Sequence, residues 1–316
     1  MIAVNGLEIS RNYFEEFGLP MLQEQFPEWA DRIAAGLIGS GSECFGYDDE
    51  VSRDHDFEAG FCLFIPGEEE MDRQTTFRLE RAYAKLPGEF MGLRKSRLDP
   101  VGGSRHGVIR ADDFFREKTG TPDGILTVGQ WLTLPEQNLF ELSKGTLFLD
   151  RSGLMSGPLS RLSVMPEDIR LKKLAGALLL MAQAGQYNYR RCVRRADTGA
   201  AALAAGEFVR AALHACFLLN GAFMPYYKWQ FRALRDLPLF SELTEPFSFL
   251  ISSPNDAETA EEKITLIEDL AGVFIAELME QEITKATCGD LEKHAYSVND
   301  QIQDGEIRNL HILAAI

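Results

Sequence analysis

The hydrophobic pattern of this chain changes once, near residue 165, and the change limits the folds open to it. Up to that point short β-rich runs, AAGLIGS, GFCLFI, HGVIR, ILTVGQWLTL and GTLFLD, alternate with helical stretches, notably EEEMDRQTTFRLERAYAKL. Beyond Pro166 the strand signals fade. Long helical periods take over in PEDIRLKKLAGALLLMAQAG, TGAAALAAGEFVRAALHACFLLNG and DAETAEEKITLIEDLAGVFIAELMEQEI. In the first of these Leu171, Leu174, Ala175, Leu178 and Ala182 recur at helical spacing, which predicts one continuous apolar stripe. The turn-rich GPLSRLSVMP, residues 157–166, marks the boundary. The pattern predicts two domains, 1–165 with a sheet and flanking helices and 166–316 as an all-α helical bundle, and the expected class of the whole is α+β. With 316 residues and 45% hydrophobic content, the chain can bury a core in each.

Charge and cysteine usage narrow the function classes. A net charge of −16 argues against tracking along a phosphate backbone, because affinity for nucleic acid comes from clustered Lys and Arg that release counterions. Nucleic acid is therefore not an expected partner. The N-terminal stretch has no basic segment followed by an apolar one, and the longest apolar run, LAGALLLMA from Leu174, is short of the ~20 residues a membrane span requires. No membrane association is expected. Cys44, Cys62, Cys192, Cys216 and Cys288 are scattered without paired spacing and read as reduced thiols of a cytoplasmic protein. The five histidines show no zinc-ligand spacing, and neither a GxSxG elbow nor a Walker phosphate loop is present. In GGSRHG, residues 102–107, Arg105 and His106 either face a substrate or belong to a plain loop before HGVIR.

The stretch GLIGSGSECFGYDDEVSRDHDFEAGFCLF, residues 36–64, interrupts two strand candidates with small residues and acids. Residues 34–39 read as a buried strand, and Ser40, Gly41 and Ser42 follow where backbone N–H groups can approach an anion without side-chain interference. A short helix from about Ser42 would aim its first N–H groups at the same place. Gly39, Ser40, Gly41 and Ser42 are thus candidate phosphate-binding residues. On the next strand Asp54 and Asp56 share one face, opposite His55. At close range their charges repel by roughly 4 kcal/mol at an effective dielectric near 20, a cost that a divalent cation removes. Magnesium suits two carboxylates plus substrate phosphates. The acids Asp48, Asp49 and Glu50 form a solvated loop or cap a turn.

A hydrophobic strand, Gly-Ser, a gap of eleven residues and Asp-x-Asp leading into a strand together resemble the signature of the nucleotidyltransferase superfamily, the polymerase-beta-like fold. The wider pattern, RDHD, GTLFLDRSG, QYNYRR and PYYKW, is similar to a bacterial family of unknown function assigned to that superfamily, over about residues 8 to 311. The resemblance implies a nucleotidyltransferase-like N-terminal sheet domain followed by a helical substrate and nucleotide-binding domain, an organisation similar to that of kanamycin nucleotidyltransferase. It implies metal-dependent transfer of a nucleoside monophosphate from a nucleoside triphosphate to an unidentified acceptor, a small-molecule hydroxyl being favoured. Asp54 and Asp56 would hold two Mg²⁺ ions. Asp150, closing the run GTLFLD, would be the third catalytic and metal-binding carboxylate by position, with Glu58 as competitor. A nucleotide-binding sensor or interaction protein without turnover is the alternative.

The helical half offers cations for the nucleotide. In QYNYRRCVRR, Asn188, Arg191 and Arg195 share a face if the helix continues, and they either meet an anionic ligand or pair with acids of the first domain. Lys228 in PYYKW either joins a packed aromatic corner or supplies charge to a triphosphate beside rings that stack on a base. Arg191, Arg195 and Lys228 are accordingly expected to bind nucleotide across a cleft shared with the Gly39–Ser42 turn.

Overall fold

A computed structural model describes residues 5–51, 59–94 and 106–316. Asp54, Asp56, His55, Glu58 and Arg105 lie outside the described residues. The contacts divide the chain into two units, one of residues 1–127 and 137–163, the other of residues 128–136 and 164–316. The chain therefore crosses between units three times, whereas the sequence pattern predicts a single crossing at residue 165.

The first unit is α+β. Its strands β1 (Ala34–Leu37), β2 (Cys62–Ile65), β5 (Gly107–Arg110) and β6 (Thr146–Leu149) form a mixed sheet in the order β5-β2-β1-β6. β1 runs antiparallel to both β2 and β6, and β2 runs parallel to β5. A hairpin of β3 (Glu89–Phe90) and β4 (Leu93–Arg94) stands apart. Every residue of β1 and β2 is buried, so neither strand alternates between apolar and polar: both sheet faces are covered. Ala35, Phe61, Leu63 and Ile65 join a core with Tyr13 and Phe14, supplied by α1 (Gly6–Tyr13) and the π-helical turn Phe14–Gly18, and with Met21 and Leu22 of α2 (Leu19–Gln25). Leu79 and Tyr83 of α4 (Arg73–Ala84) close that core. On the other face Phe64 packs edge-on against Phe114 of α5 (Ala111–Thr119), ring centroids 5.1 Å apart. The short α3 (Ser42–Phe45) follows β1, α7 (Glu136–Lys144) precedes β6, and α8 (Ser156–Leu162) ends the unit.

One expected strand is a helix. Within ILTVGQWLTL, residues 128–133 form α6, which buries the adjacent Trp131 and Leu132 and packs on α9 (Glu167–Met181) of the second unit. α9 supplies a surface for this short helix, so packing overrides the β propensity of the local sequence. α9 continues into a π-helical stretch, Ala182–Tyr189, and then into α10 (Arg190–Arg194). α11 (Thr198–Leu219), α12 (Gln230–Arg235), α13 (Thr244–Ser252), α14 (Ala257–Glu280), α15 (Leu291–Asn299) and α16 (Gly305–Asn309) complete the unit. Asp197, Asp256, Asp290 and Asp304 cap α11, α14, α15 and α16 by accepting first-turn N–H groups. α11 is long and apolar enough to cross a membrane, which a search for unbroken apolar runs misses; its buried residues pack against α9, α13 and the π-helical stretch.

α9 carries more than a stripe, since it is buried on nearly all sides and even Lys172 and Lys173 have no more than 4% of their surface exposed. Lys172 Nζ donates to Asn299 Oδ1 at 2.9 Å and to the carbonyls of Arg308 and Leu310 at 3.2 and 2.7 Å, tying the C-terminal segment to the helix. Burial lowers the Lys172 pKa below its ordinary value. Beyond α9, Gly185 sits where any side chain would collide with the Phe208 ring of α11. Gly185→Ala is expected to destabilise the chain by about 1–3 kcal/mol, read as a lower midpoint in urea unfolding.

Candidate functional site

The strand register fixes which residues share an end of the sheet. Gly36 pairs with Cys62, Cys62 with Gly107, and Leu37 with Thr146. The turn that leaves β1, the chain entering β2 and the chain entering β5 therefore meet at one end. The turn is Gly39–Ser42, with Ser40 exposed, Gly41 buried and α3 beginning at Ser42. Gly39 has φ 156°, a conformation that L side chains rarely adopt. The Cys44 and Tyr47 N–H groups donate to the Gly41 and Ser42 carbonyls, so the turn closes through its carbonyls and leaves the N–H groups of residues 40–43 outside these bonds. α1 grips both flanks of segment 52–58: Asp48 Oδ2 accepts from the Gly6 N–H at 3.0 Å, and Ser10 Oγ donates to the Gly60 carbonyl at 2.5 Å. Asp48 thus caps α1.

Two side chains stand at this end: Glu43, which the sequence reading does not single out, and His106, which it leaves between facing a substrate and a plain loop. Glu43, in the first turn of α3, is buried, and its carboxylate fills the space that a side chain on Gly41 would take. An acid one residue beyond the Gly-Ser pairs was the available signal. His106, at the start of β5, is buried against Gly60, where an added Cβ would meet the ring at 2.6 Å. Cys62 is not a nucleophile here, because burial pushes its thiol up to about 12.

Asp150 is at the wrong end. β6 runs antiparallel to β1 and Leu149 pairs with Ala35, so Asp150 follows at the end of the sheet where β1 begins. The Gly39 turn leaves β1 four residues beyond Ala35, roughly 13 Å along the strand. The Asp150 Oδ2 atom accepts the N–H groups of Met155 at 3.1 Å and Ser156 at 2.7 Å, which makes the carboxylate a cap for α8. Its Oδ1 is buried and has no hydrogen-bond partner among the described residues. The position-based assignment fails because β6 points its C-terminal end away from the turn.

In the second unit the three expected cations are all on the surface. The Arg191 guanidinium lies 4.6 Å from the Tyr187 ring centroid and donates to the Tyr187 hydroxyl at 2.7 Å. Arg195 follows α10 directly. Lys228 Nζ lies 5.0 Å from the Trp229 ring centroid, beside Tyr226 and Tyr227, whose centroids are 4.3 Å apart. Tyr227 is 70% exposed, so this segment is an open aromatic surface and not a packed corner.

Beneath that segment sits a charged cluster that sequence reasoning missed. Glu136 Oε1 accepts from His214 Nε2 of α11 at 2.8 Å and lies 3.2 Å from Lys173 Nζ of α9, while Oε2 accepts the Met224 N–H at 3.2 Å. Glu136 and Lys173 are buried and His214 nearly so. Burial by itself would raise the Glu136 pKa; the charge and hydrogen bond of His214, the Lys173 ammonium and the Met224 N–H outweigh it and hold the carboxyl at about 2. One carboxylate thus joins α9, α11 and the start of the FMPYYKW segment. The signal was charge in phase with apolar positions, Lys173 within LKKLAGALLL and His214 within AALHACF.

A family model described as Domain of unknown function (DUF4037) matches residues 131–230. That stretch holds Glu136, Lys173 and His214 and leaves out the Gly39–Ser42 turn. No curated protein matches the chain. Among solved structures, a nucleotidyltransferase-like protein from Exiguobacterium sibiricum is similar over 90% of each chain, with 14% sequence identity and a TM-score of 0.36.

Removing the α8 cap by Asp150→Ala is expected to cost about 1–2 kcal/mol of stability in chemical denaturation while leaving ligand binding at the Gly39 turn unchanged. A loss of binding without a loss of stability would return Asp150 to the site. Glu136 predicts a pH dependence. Its folded pKa lies below the ordinary 4.5, so its contribution is complete above pH 4.5 and is lost as pH falls toward about 2. Glu136→Gln should cost about 3 kcal/mol at neutral pH and flatten the fall in stability over that acid range, measured by urea unfolding at stepped pH.

Proposed function

We propose that this chain is a metal-dependent nucleotidyltransferase, moving a nucleoside monophosphate from a nucleoside triphosphate to a hydroxyl of a small acceptor molecule. The observation that carries the reading is the corner at the C-terminal end of β1. There a turn with little side-chain bulk, Gly39–Ser42, stands at the end of the sheet where the chain enters β2, and in the sequence Asp-His-Asp precedes β2 by five residues. Backbone N–H groups of the turn suit phosphate oxygens.

Two carboxylates together with substrate phosphates suit magnesium. Among the described residues no three His, Cys, Asp or Glu side chains form a metal-sized group. By the sequence resemblance Asp54 and Asp56 would hold the ions; Glu43 is the described carboxylate beside the Gly39–Ser42 turn, and Asp150 takes no part. When bound, Mg²⁺ neutralises phosphate charge and lowers the pKa of the attacking hydroxyl. The acceptor oxygen attacks the α-phosphorus, the bond to the bridging oxygen breaks, and pyrophosphate leaves. Glu43 is the carboxylate to which the acceptor's proton is assigned. Arg191, Arg195 and Lys228 are exposed on the second unit, Lys228 beside the Tyr226 and Tyr227 rings, and are proposed as anion-binding groups of that unit by their charge alone. His106, lodged against Gly60, fixes the approach of β5 to β2 at the same end.

Asp54→Asn should leave the unfolding midpoint in place and reduce pyrophosphate release by about a hundredfold or more. The assay mixes the full chain, Mg²⁺ and each of the four common nucleoside triphosphates with a panel of hydroxylated acceptors. An Asp54→Asn protein as active as the parent would overturn the assignment, and magnesium-dependent stabilisation by a triphosphate without turnover would leave a nucleotide-binding protein.

A further inference from the structure

The second unit contains a cavity of about 540 Å³, a size in the range of small-molecule sites. One wall is the π-helical stretch, which presents Gln183, Tyr187 and Asn188; the other is the turn into α15, which presents Gly289, Asp290 and Glu292. Both walls are fixed. Gly185, behind the first wall, is pressed against Phe208 of α11 and Ile267 of α14. The Gln186 side chain joins the walls directly: Nε2 donates to the Gly289 carbonyl at 2.9 Å and to Glu268 Oε2 at 2.8 Å, and Oε1 accepts the Leu291 N–H at 3.0 Å. The helix changes from α to π where it lines the cavity, and such irregular turns recur at functional sites.

The lining sets the sign of the occupant. Among the described residues of the lining the carboxylates are Asp290 and Glu292, and none is a Lys or Arg. Arg191 stands outside the lining, stacked on the Tyr187 ring and bonded to its hydroxyl. One Asp290 oxygen caps the Glu292 N–H at 2.9 Å, which orients the carboxylate at the cavity edge. Gln183 and Asn188 add exposed amides that both donate and accept, and Tyr187 adds a ring that is 58% exposed. Among the described residues of the lining a triphosphate would meet two carboxylates and no cation, which disfavours a nucleotide at this place.

We propose that this cavity binds a small organic amine, its ammonium group paired with Asp290 and Glu292 and its neutral polar groups hydrogen-bonded to Gln183 and Asn188. The inference stands independently of the transferase reading, since it uses only residues of the second unit. Isothermal titration of the full chain with D-glucosamine and with spermidine tests it, with D-glucose as the uncharged control and glutamate as the anionic one. Binding of at least one amine is expected, with neither control binding. Asp290→Asn and Glu292→Gln should each weaken it about tenfold. Gln183→Ala and Asn188→Ala keep every charge and should weaken it severalfold, which separates a built cavity from attraction to an acidic surface. All four positions are exposed, and Asn at 290 keeps the oxygen that caps α15, so thermal unfolding should be unchanged. Failure of both amines to bind, binding indifferent to Asp290 and Glu292, or binding indifferent to Gln183 and Asn188 would each overturn the proposal.

Discussion

β1 is only four residues long, yet it is hydrogen-bonded along both edges and buried on both faces. Its direction decides what the first unit can do. Because β2 and β6 both run against it, the start of β2 meets the end of β1, and the end of β6 meets its start. Parallel pairing of β5 with β2 then brings His106 to the same end as the Gly39–Ser42 turn. A strand fixed on all sides cannot slip by one residue without turning its buried side chains to the wrong face.

The helical unit is organised around charges inside an apolar interior. α9 sends two consecutive lysines in different directions: Lys172 to three neutral oxygens of the C-terminal segment, Lys173 to Glu136. An unpaired ammonium at either place would be costly to bury, so each lysine specifies one set of partners. Glu136 converts this requirement into geometry by also holding His214 and the Met224 N–H. The exposed pair Tyr226 and Tyr227 and their neighbour Lys228 follow within four residues of that anchor. A buried ion cluster and an exposed aromatic surface are thus consecutive parts of one segment.

The two candidate sites differ in chemistry because their walls differ. At the β1 corner the turn Gly39–Ser42 has little side-chain bulk and one described carboxylate, Glu43, buried beside it. In the helical unit the cavity offers carboxylates, amides and a phenol ring with no cation among the described residues of its lining, which suits an amine. The overall charge of −16 is therefore spent locally and unevenly.

Much of this was legible in the sequence. The apolar periods marked β1, β2, β5, β6 and the helices α4, α9, α11 and α14, because period and burial are properties of short windows. The glycine and serine cluster marked the turn after β1 for the same reason. Three things depended on contacts between distant segments. Residues 128–133 became a helix because α9 supplied the surface for Trp131 and Leu132. Asp150 left the site because strand direction is decided by pairing, and residue order carries no sign for it. The Glu136 cluster joins residues up to 88 positions apart, and the cavity joins the π-helical stretch to a turn a hundred residues later. Local sequence sets which residues want burial, charge or a turn; only the packed chain decides which of them meet.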